Sequence, residues 1–240
     1  MTENQGGDWN NVIENIEGLP ENNWVSFIEP SRFNAGSAFV CFDNHRNGDK
    51  TPYVFKTNDL GKTWKSITTT DIEGYALSIR QDFVNPDVLF LGTEFGLYIT
   101  VDGGKNWSRF ENNMPKVGVR DMVIQQRENA LVMGTHGRGI IIIDDISPLR
   151  KVDEELLSQD LVFFEGEPTM LKDPGAGGGW FGGAGNFTGG NPNTNAQITY
   201  YMKKRHTFGK MYIEVFDANG KLVKKLPAGK SAGINSVDMP

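Results

Sequence analysis

The 240 residues carry 24 Lys and Arg against 30 Asp and Glu, a formal charge of −6, and the interspersed signs argue against the basic footprint of a nucleic-acid binder. The one cysteine, Cys41, excludes an internal disulfide and, inside the apolar run Ala38-Phe39-Val40-Cys41-Phe42, reads as a small buried hydrophobe. No apolar run approaches a membrane span and the polar residues 1–11 contain no signal-peptide core, while 29 Gly and 15 Phe favour short strands and tight turns.

In chain order, Gly6-Gly7-Asp8-Trp9 reads as the end of a turn motif and residues 9–17 as an outer strand, before Gly18-Leu19-Pro20-Glu21 turns the chain. Four strands are expected at 24–29, 37–43, 52–57 and 64–68, with the polar loop 44–50 between the second and third. Four more follow at 75–80, 88–93, 97–101 and 107–110, with a turn at Asn85-Pro86-Asp87. Then come 120–125, 130–135 and Ile140-Ile141-Ile142-Ile143. Unbroken apolar runs of this length mean strands covered on both faces.

Two turns organise this series. Thr57-Asn58-Asp59-Leu60-Gly61-Lys62-Thr63-Trp64 and Thr100-Val101-Asp102-Gly103-Gly104-Lys105-Asn106-Trp107 both read Thr-x-Asp-x-Gly-x-x-Trp and lie 43 residues apart. Asp accepts hydrogen bonds from the amides of its own turn, Gly supplies positive φ, and Trp returns a large apolar side chain to the sheet. A further 43 residues carries Gly96 to Gly139 and, with one residue inserted, sets Gly134–Ile140 against Gly92–Leu97, but there the motif is lost at Asp145-Ile146-Ser147-Pro148. Trp9 and Trp64 are 55 residues apart, so the first full repeat holds an insertion. Four antiparallel strands in such a repeat match a β-propeller blade, whose period is about 40–50 residues.

On these residues the chain resembles the Asp-box (BNR-repeat) β-propellers, which include sialidases, xyloglucanase-type glycoside hydrolases and the sortilin ectodomain. With His45-Arg46, Gly134-Thr135-His136-Gly137-Arg138-Gly139 and Asp144-Asp145-Ile146-Ser147-Pro148-Leu149-Arg150 it is similar to the C-terminal part of large bacterial proteins named glycosyl hydrolase or sortilin-like. The expected class is all-β. Residues 1–148 form an incomplete propeller, because closing a ring takes about four to eight blades, and the chain reads as a piece of a longer protein whose remaining blades are its partners. Residues 149–195 are expected to give a short helix, an exit strand and a Gly-rich linker carrying the sequon Asn186-Phe187-Thr188. Residues 196–240 resemble the start of an Ig-like β-sandwich, with a hairpin turn at Asn219-Gly220.

Asp59 and Asp102 read as structural, together with Thr57, Gly61, Trp64, Thr100, Gly104 and Trp107. Strand parity puts the boxes on one edge with the Asn85-Pro86-Asp87 turn and gathers Asp43, His45, Arg46, Asp49, Glu94, His136 and Arg138 on the other, joined by Asp71, Glu73, Tyr75 and Lys116 of the blade junctions. The ligand-face candidates are Asp43, His45, Arg46, Glu94, His136 and Arg138, with His136 and Arg138 foremost because their flanking glycines let the backbone bend. Gly134–Gly139 lacks the Lys-Ser/Thr and helix of a phosphate loop, no ligand spacing supports a metal, and no cofactor is implied.

Three functions stay open: a secreted, periplasmic or cell-surface propeller binding a glycan or peptide, a glycoside hydrolase, or a structural segment that completes a ring. A hydrolase needs paired carboxyl groups, at about 5–5.5 Å for retention or 6.5–9.5 Å for inversion. No such pair, and no catalytic residue, is legible here.

Overall fold

The computed structural model describes residues 1–166 and 195–239. They form two compact units, Met1–Arg150 and Lys151–Pro240. The Gly-rich stretch and its sequon lie outside the described residues.

In the first unit β1 (Trp24–Pro30), β2 (Ala38–Asp43), β3 (Tyr53–Thr57) and β4 (Lys65–Ser66) make an antiparallel sheet in sequential order, and β5 (Ala76–Gln81), β6 (Leu89–Thr93), β7 (Gly96–Thr100) and β8 (Ser108–Arg109) make a second. A third holds β9 (Val119–Gln125), β10 (Ala130–Thr135) and β11 (Ile140–Ile143). Side chains alternate across a strand, so the run Leu89-Phe90-Leu91 serves two interfaces. Leu89, Leu91, Ile79 and Tyr98 pack on Phe39, Cys41 and Val54 of the first sheet, whereas Phe90 and Leu97 pack on Val119, Met122, Leu131 and Met133 of the third. Meanders stacked face to face in this way are propeller blades, and the unit is a partial β-propeller in an all-β chain. Burial holds the Cys41 thiol far above its ordinary pKa, which leaves it an inert packing group.

Each box is a closed hydrogen-bond circuit. Thr57 Oγ1 donates to Asp59 Oδ1 (2.8 Å) and accepts from Gly61 N (3.0 Å), while Asp59 accepts from Thr63 N (2.9 Å) and Thr63 Oγ1 (2.6 Å). Thr100, Asp102, Gly104 and Asn106 repeat the pattern. The fourth and fifth box residues are both left-handed, Leu60 and Gly61 in one, Gly103 and Gly104 in the other. A Cβ on Gly104 would meet Ile67 of the preceding blade at 3.0 Å, and one on Gly61 would meet Val12 at 3.1 Å. Glycine is thus required for approach as well as for φ.

The donors of Thr63, first the hydroxyl and then the amide, followed by Thr57, lower the Asp59 pKa to about 2. A carboxyl with a depressed folded pKa stabilises above its unfolded pKa, and that contribution is lost as pH falls through the folded value. The urea midpoint is therefore expected to hold level through neutral pH and to drop between about pH 4 and pH 2, the window set by the unfolded and folded values. At neutral pH Asp102→Ala is expected to cost about 0.5–1.5 kcal/mol, the net worth of a lost hydrogen bond, because water can replace the carboxylate at the exposed Lys105 and Asn106 amides. Chemical denaturation of the variant against the parent chain measures it.

A further box was only partly legible. Thr2-Glu3-Asn4-Gln5-Gly6-Gly7-Asp8-Trp9 closes the same circuit, with Thr2 Oγ1 donating to Asn4 Oδ1, Gly6 N donating to Thr2 Oγ1, and Asp8 N donating to Asn4 Oδ1. Asn replaces the aspartate and the carboxylate moves to Asp8, which accepts from Asn4 Nδ2 at 2.8 Å. Gln5 and Gly6 again have positive φ.

The outer strand expected at residues 9–17 does not form. Ile13–Asn15 is a 3-10 turn instead, because among the described residues no third strand lies beside it and a lone strand leaves its amides unpaired. The segment still does the packing of a blade edge. Val12 covers Gly61, Asn15 Nδ2 donates to Gly61 O (2.8 Å), and Ile16 and Leu19 cap Val40, Phe42 and Phe55.

The third repeat follows the box path for four residues and then leaves it. Ile146 N donates to Asn129 O (2.9 Å), as Leu60 N does to Gly36 O and Gly103 N to Asp87 O. Pro148 then carries the chain into a 3-10 helix, Ser147–Lys151, where the sequence places the start of a short helix. Arg150 fastens this exit. Its Nε and Nη2 each reach a carboxylate oxygen of Asp82 at 2.9 Å, Nη1 donates to Asn129 Oδ1, and the guanidinium lies 4.6 Å from the Phe83 ring centroid. No strand returns along β11 among the described residues. That sheet's far face exposes Ile140 (70%) and Ile142 (52%).

In the second unit α1 (Glu154–Ser158) is capped by Asp153, whose carboxylate accepts from Leu156 N. One antiparallel sheet has the order β12 (Leu161–Phe163), β13 (Ala196–Met202), β16 (Gly233–Met239), and a hairpin is formed by β14 (Tyr212–Phe216) and β15 (Leu222–Pro227). Tyr200, Met202 and Ile213 are buried between them. Sequence reading missed β16, since the three-residue step from Ile234 to Val237 breaks the alternation that marks a strand.

Candidate functional site

Alternate turns of a meander emerge at opposite edges. The boxes share theirs with the β1–β2 and β5–β6 turns, as the bonds to Gly36 O and Asp87 O fix. The other edge carries the β2–β3 loop with its 3-10 turn His45–Asn47, the β6–β7 turn at Glu94 and Phe95, the β10–β11 turn and the links between blades.

On that second edge lies a depression of about 170 Å³ lined by Trp24, Ser26, Asp43, His45, Arg46, Leu77 and Arg120. Trp24, Ser26, Leu77 and Arg120 stand on β1, β5 and β9, the first strands of three successive blades. Ser26 Oγ donates to Ala76 O (2.9 Å) and ties β1 to β5. Asp43 Oδ1 accepts from His45 N (3.0 Å) and contacts His45 Nδ1 at 2.6 Å. The imidazole lies flat on the Tyr75 ring, 4.5 Å between centroids and 18° between planes. Burial first, then the Glu94 and Asp43 charges, raise the Tyr75 pKa, so its phenol stays protonated. The Arg46 guanidinium lies 5.8 Å from the centroid of Trp24, a ring left 66% exposed.

Of the sequence candidates, Asp43, His45 and Arg46 are brought together here. Glu94 stands one junction away, its N donating to Tyr75 O (3.1 Å) and its Oε1 accepting from Lys50 Nζ (2.9 Å). His136 N donates to Gly118 O, and its ring, like the Arg138 side chain, is exposed on the β10–β11 turn, outside the depression. Asp49 is spent within its own loop. The Thr51 amide, then Asn44 Nδ2, hold its carboxyl far below the usual range, and Tyr53 Oη donates to it as well. Glu73 faces Arg109 and Lys116 at 3.9 and 3.6 Å. Sequence reading missed Trp24, Ser26, Leu77 and Arg120. The one signal was that Leu77 and Arg120 are equivalent positions of the 43-residue repeat.

A second depression, about 200 Å³, lies at the opposite ends of the same three strands, with Arg80 on its wall. Arg80 is consumed there by Glu29 (2.7 Å), Asp121 (3.3 Å), Met122 O and the Phe27 ring, so it clamps three blades together. In the first depression neither Arg46 nor Arg120 has an ion-pair partner among the described residues. An exposed indole beside two unpaired guanidinium groups suits a ligand with a flat apolar face and an anionic group. The lining holds one carboxylate, Asp43, already engaged by His45.

No family model matches the chain. Over 62 residues it is 39% identical to vacuolar protein sorting/targeting protein 10 of Pyrenophora tritici-repentis, a match covering 26% of this chain and 4% of that protein. Among solved structures it is similar to the GH74 enzyme of Niastella koreensis (TM-score 0.42, 14% identity, 85% of this chain and 31% of that one). It is also similar to YCF48 bound to D1 peptide (TM-score 0.35, 18% identity, 49% of this chain and 35% of that one). The chain thus covers well under two thirds of each of these proteins. Likeness at this level concerns the fold alone. The fold itself rests on the strand order above: the chain is all-β, and Met1–Arg150 is a partial β-propeller.

Proposed function

We propose that Met1–Arg150 is a binding segment of a secreted, periplasmic or cell-surface Asp-box propeller. Its ligand, a glycan or a peptide, enters the depression walled by Trp24, Arg46 and Arg120. The observation that carries this reading is the pair of unpaired arginines beside an exposed tryptophan, on the edge that the boxes do not occupy. Ligand sites gather on loops held by a rigid scaffold, and three inner strands supply that scaffold here. The remaining blades of a longer parent chain are the partners that would cover the apolar face at Ile140 and Ile142, and residues from Ala196 onward read as the start of an Ig-like module. A glycoside hydrolase would require a second carboxyl group facing Asp43, so binding is the reading to test first.

The test is a set of three variants screened on glycan and peptide arrays and titrated against the strongest hit. Arg46→Ala with Arg120→Ala is expected to weaken binding at least about tenfold per arginine, the worth of a charge-assisted hydrogen bond. Lys62→Ala with Lys105→Ala, on the box edge, is expected to leave it unchanged. Arg138→Ala, on the ligand edge but outside the depression, is expected to fall between. Equal losses in the box pair and the arginine pair would overturn the choice of edge.

A further inference from the structure

The chain as a whole is acidic, yet residues 196–239 carry eight Lys and Arg against three Asp and Glu. Of those three, Glu214 is paired with Lys225 (2.8 Å), Asp217 accepts the Asn219 and Lys221 amides of its own turn, and Asp238 accepts from Gln197 Nε2. Half of the positive charge stands in one loop, Lys203-Lys204-Arg205-His206-Thr207-Phe208-Gly209-Lys210, between β13 and β14. All eight residues are exposed. Phe208 is 84% exposed, the largest value among the exposed hydrophobic residues described.

The loop is held at its base and open at its tip. Lys203 N donates to Asp160 O (3.0 Å) and Lys203 Nζ to Ser158 O (3.0 Å), His206 N donates to Lys230 O (3.0 Å), and Lys230 Nζ donates to Gly209 O (2.8 Å). Gly209 turns the chain back with φ of 63°. Among the described residues Lys204, Arg205 and Lys210 form no ion pair with a carboxylate, and Phe208 belongs to no buried apolar cluster. The loop thus presents an apolar ring and unpaired cations together on one exposed turn, the pairing of residue types that interfacial segments use.

From this arrangement we infer that the 203–210 loop docks the second unit onto an anionic lipid surface, Phe208 entering below the headgroups while Lys204, Arg205 and Lys210 meet lipid phosphates. Two features favour an amphiphilic surface over a soluble polyanion. The tip residue is a phenyl ring with no hydrogen-bonding group, which gains by entering an acyl boundary and gains nothing from a sulfate or phosphate chain. The cations flank that ring within two to four residues, so both contacts are made in one approach. The attraction is screened within a Debye length, which makes docking salt-sensitive.

The experiment is co-sedimentation of the full chain with phosphatidylcholine vesicles containing phosphatidylglycerol, against vesicles of phosphatidylcholine alone. The chain is expected to sediment with the first and not the second, and to be released by added salt. Lys204→Glu with Arg205→Glu is expected to abolish sedimentation, and Phe208→Ala to weaken it about tenfold, the effect of losing one buried apolar side chain. Unchanged melting curves check that these exposed substitutions leave the fold intact. Equal sedimentation with both vesicles, no sedimentation with either, or a Phe208→Ala chain that binds like the parent would each overturn the assignment. So would retention on immobilised dextran sulfate that survives Phe208→Ala while vesicle binding is absent, since that describes a general polyanion patch.

Discussion

Replacing Arg150 by alanine is expected to cost about 3–5 kcal/mol of stability, because it leaves the fully enclosed Asp82 carboxylate without its cation. Asp82 keeps the Val84 and Asn85 amides as donors, but two charge-assisted bonds disappear at once and Asn129 Oδ1 loses its donor. Burial opposes ionisation of this carboxyl. The Arg150 hydrogen bonds and the two amides outweigh burial, and the pKa is lowered. A carboxyl of that kind adds stability above the pKa of the unfolded chain and loses it as pH falls through the folded value. The deficit of Arg150→Ala measured by urea unfolding is therefore expected to be largest at neutral pH and to shrink in acid, where protonation of Asp82 removes the stranded charge. Adding Asp82→Asn to Arg150→Met is expected to recover part of the loss, as removal of both partners of a buried pair does. A deficit below about 1 kcal/mol at neutral pH, the size of a surface pair, would mean that the exit from the third blade is not held by this contact.

Trp107→Ala is expected to cost a similar amount, about 3–5 kcal/mol, as large core truncations do. Trp107 is 4% exposed, packs between the first two blades, and donates Nε1–H to Ile67 O of the preceding blade at 2.7 Å. The two box tryptophans look equivalent in sequence and are not so in structure. Trp64 is half-buried, and its indole donates within its own box to Gly61 O (3.1 Å). Its replacement is accordingly expected to cost clearly less. Trp107→Phe separates the two contributions, keeping most of the packing while leaving the Ile67 carbonyl unpaired. Denaturant midpoints of the three variants decide the order, and equal losses at Trp64 and Trp107 would contradict the asymmetry of the two interfaces.

The blades were legible because their physics is local. Runs such as Val88-Leu89-Phe90-Leu91 announce strands covered on both sides, and the two boxes state their turn chemistry in eight residues. The Thr2 box was half hidden because its acceptor is an amide, Asn4, so a search for the aspartate finds only the tail. The strand expected at residues 9–17 failed for the opposite reason. Its sequence suits a blade edge, but pairing needs a neighbour that sequence cannot supply. Long-range contacts leave no local mark either. Arg150 reads as one more charge after a turn, although its partner Asp82 is 68 residues away.

The candidate site divides along the same line. Parity of turns was enough to put Asp43, His45 and Arg46 on the edge away from the boxes. Trp24 and Arg120 open ordinary strands and carry no motif, and only the stacking of three blades brings them to one depression. His136 and Arg138, singled out for their flanking glycines, are presented on an exposed turn because Gly137 and Gly139 adopt positive φ and let Thr135 close the hairpin onto Gly139 O. Flexibility of sequence there yields a tight turn, and no part of it lines the cavity.

Oxidative footprinting of the folded chain, with and without the ligand selected on the arrays, tests the division of edges most directly. With Trp24 exposed at the mouth of the depression and Trp9 exposed at the first box, both indoles are open to solution oxidant in the free chain. Bound ligand is expected to protect Trp24 and to leave Trp9 at its free rate. Protection of Trp9 with Trp24 still oxidised at its free rate would contradict that division.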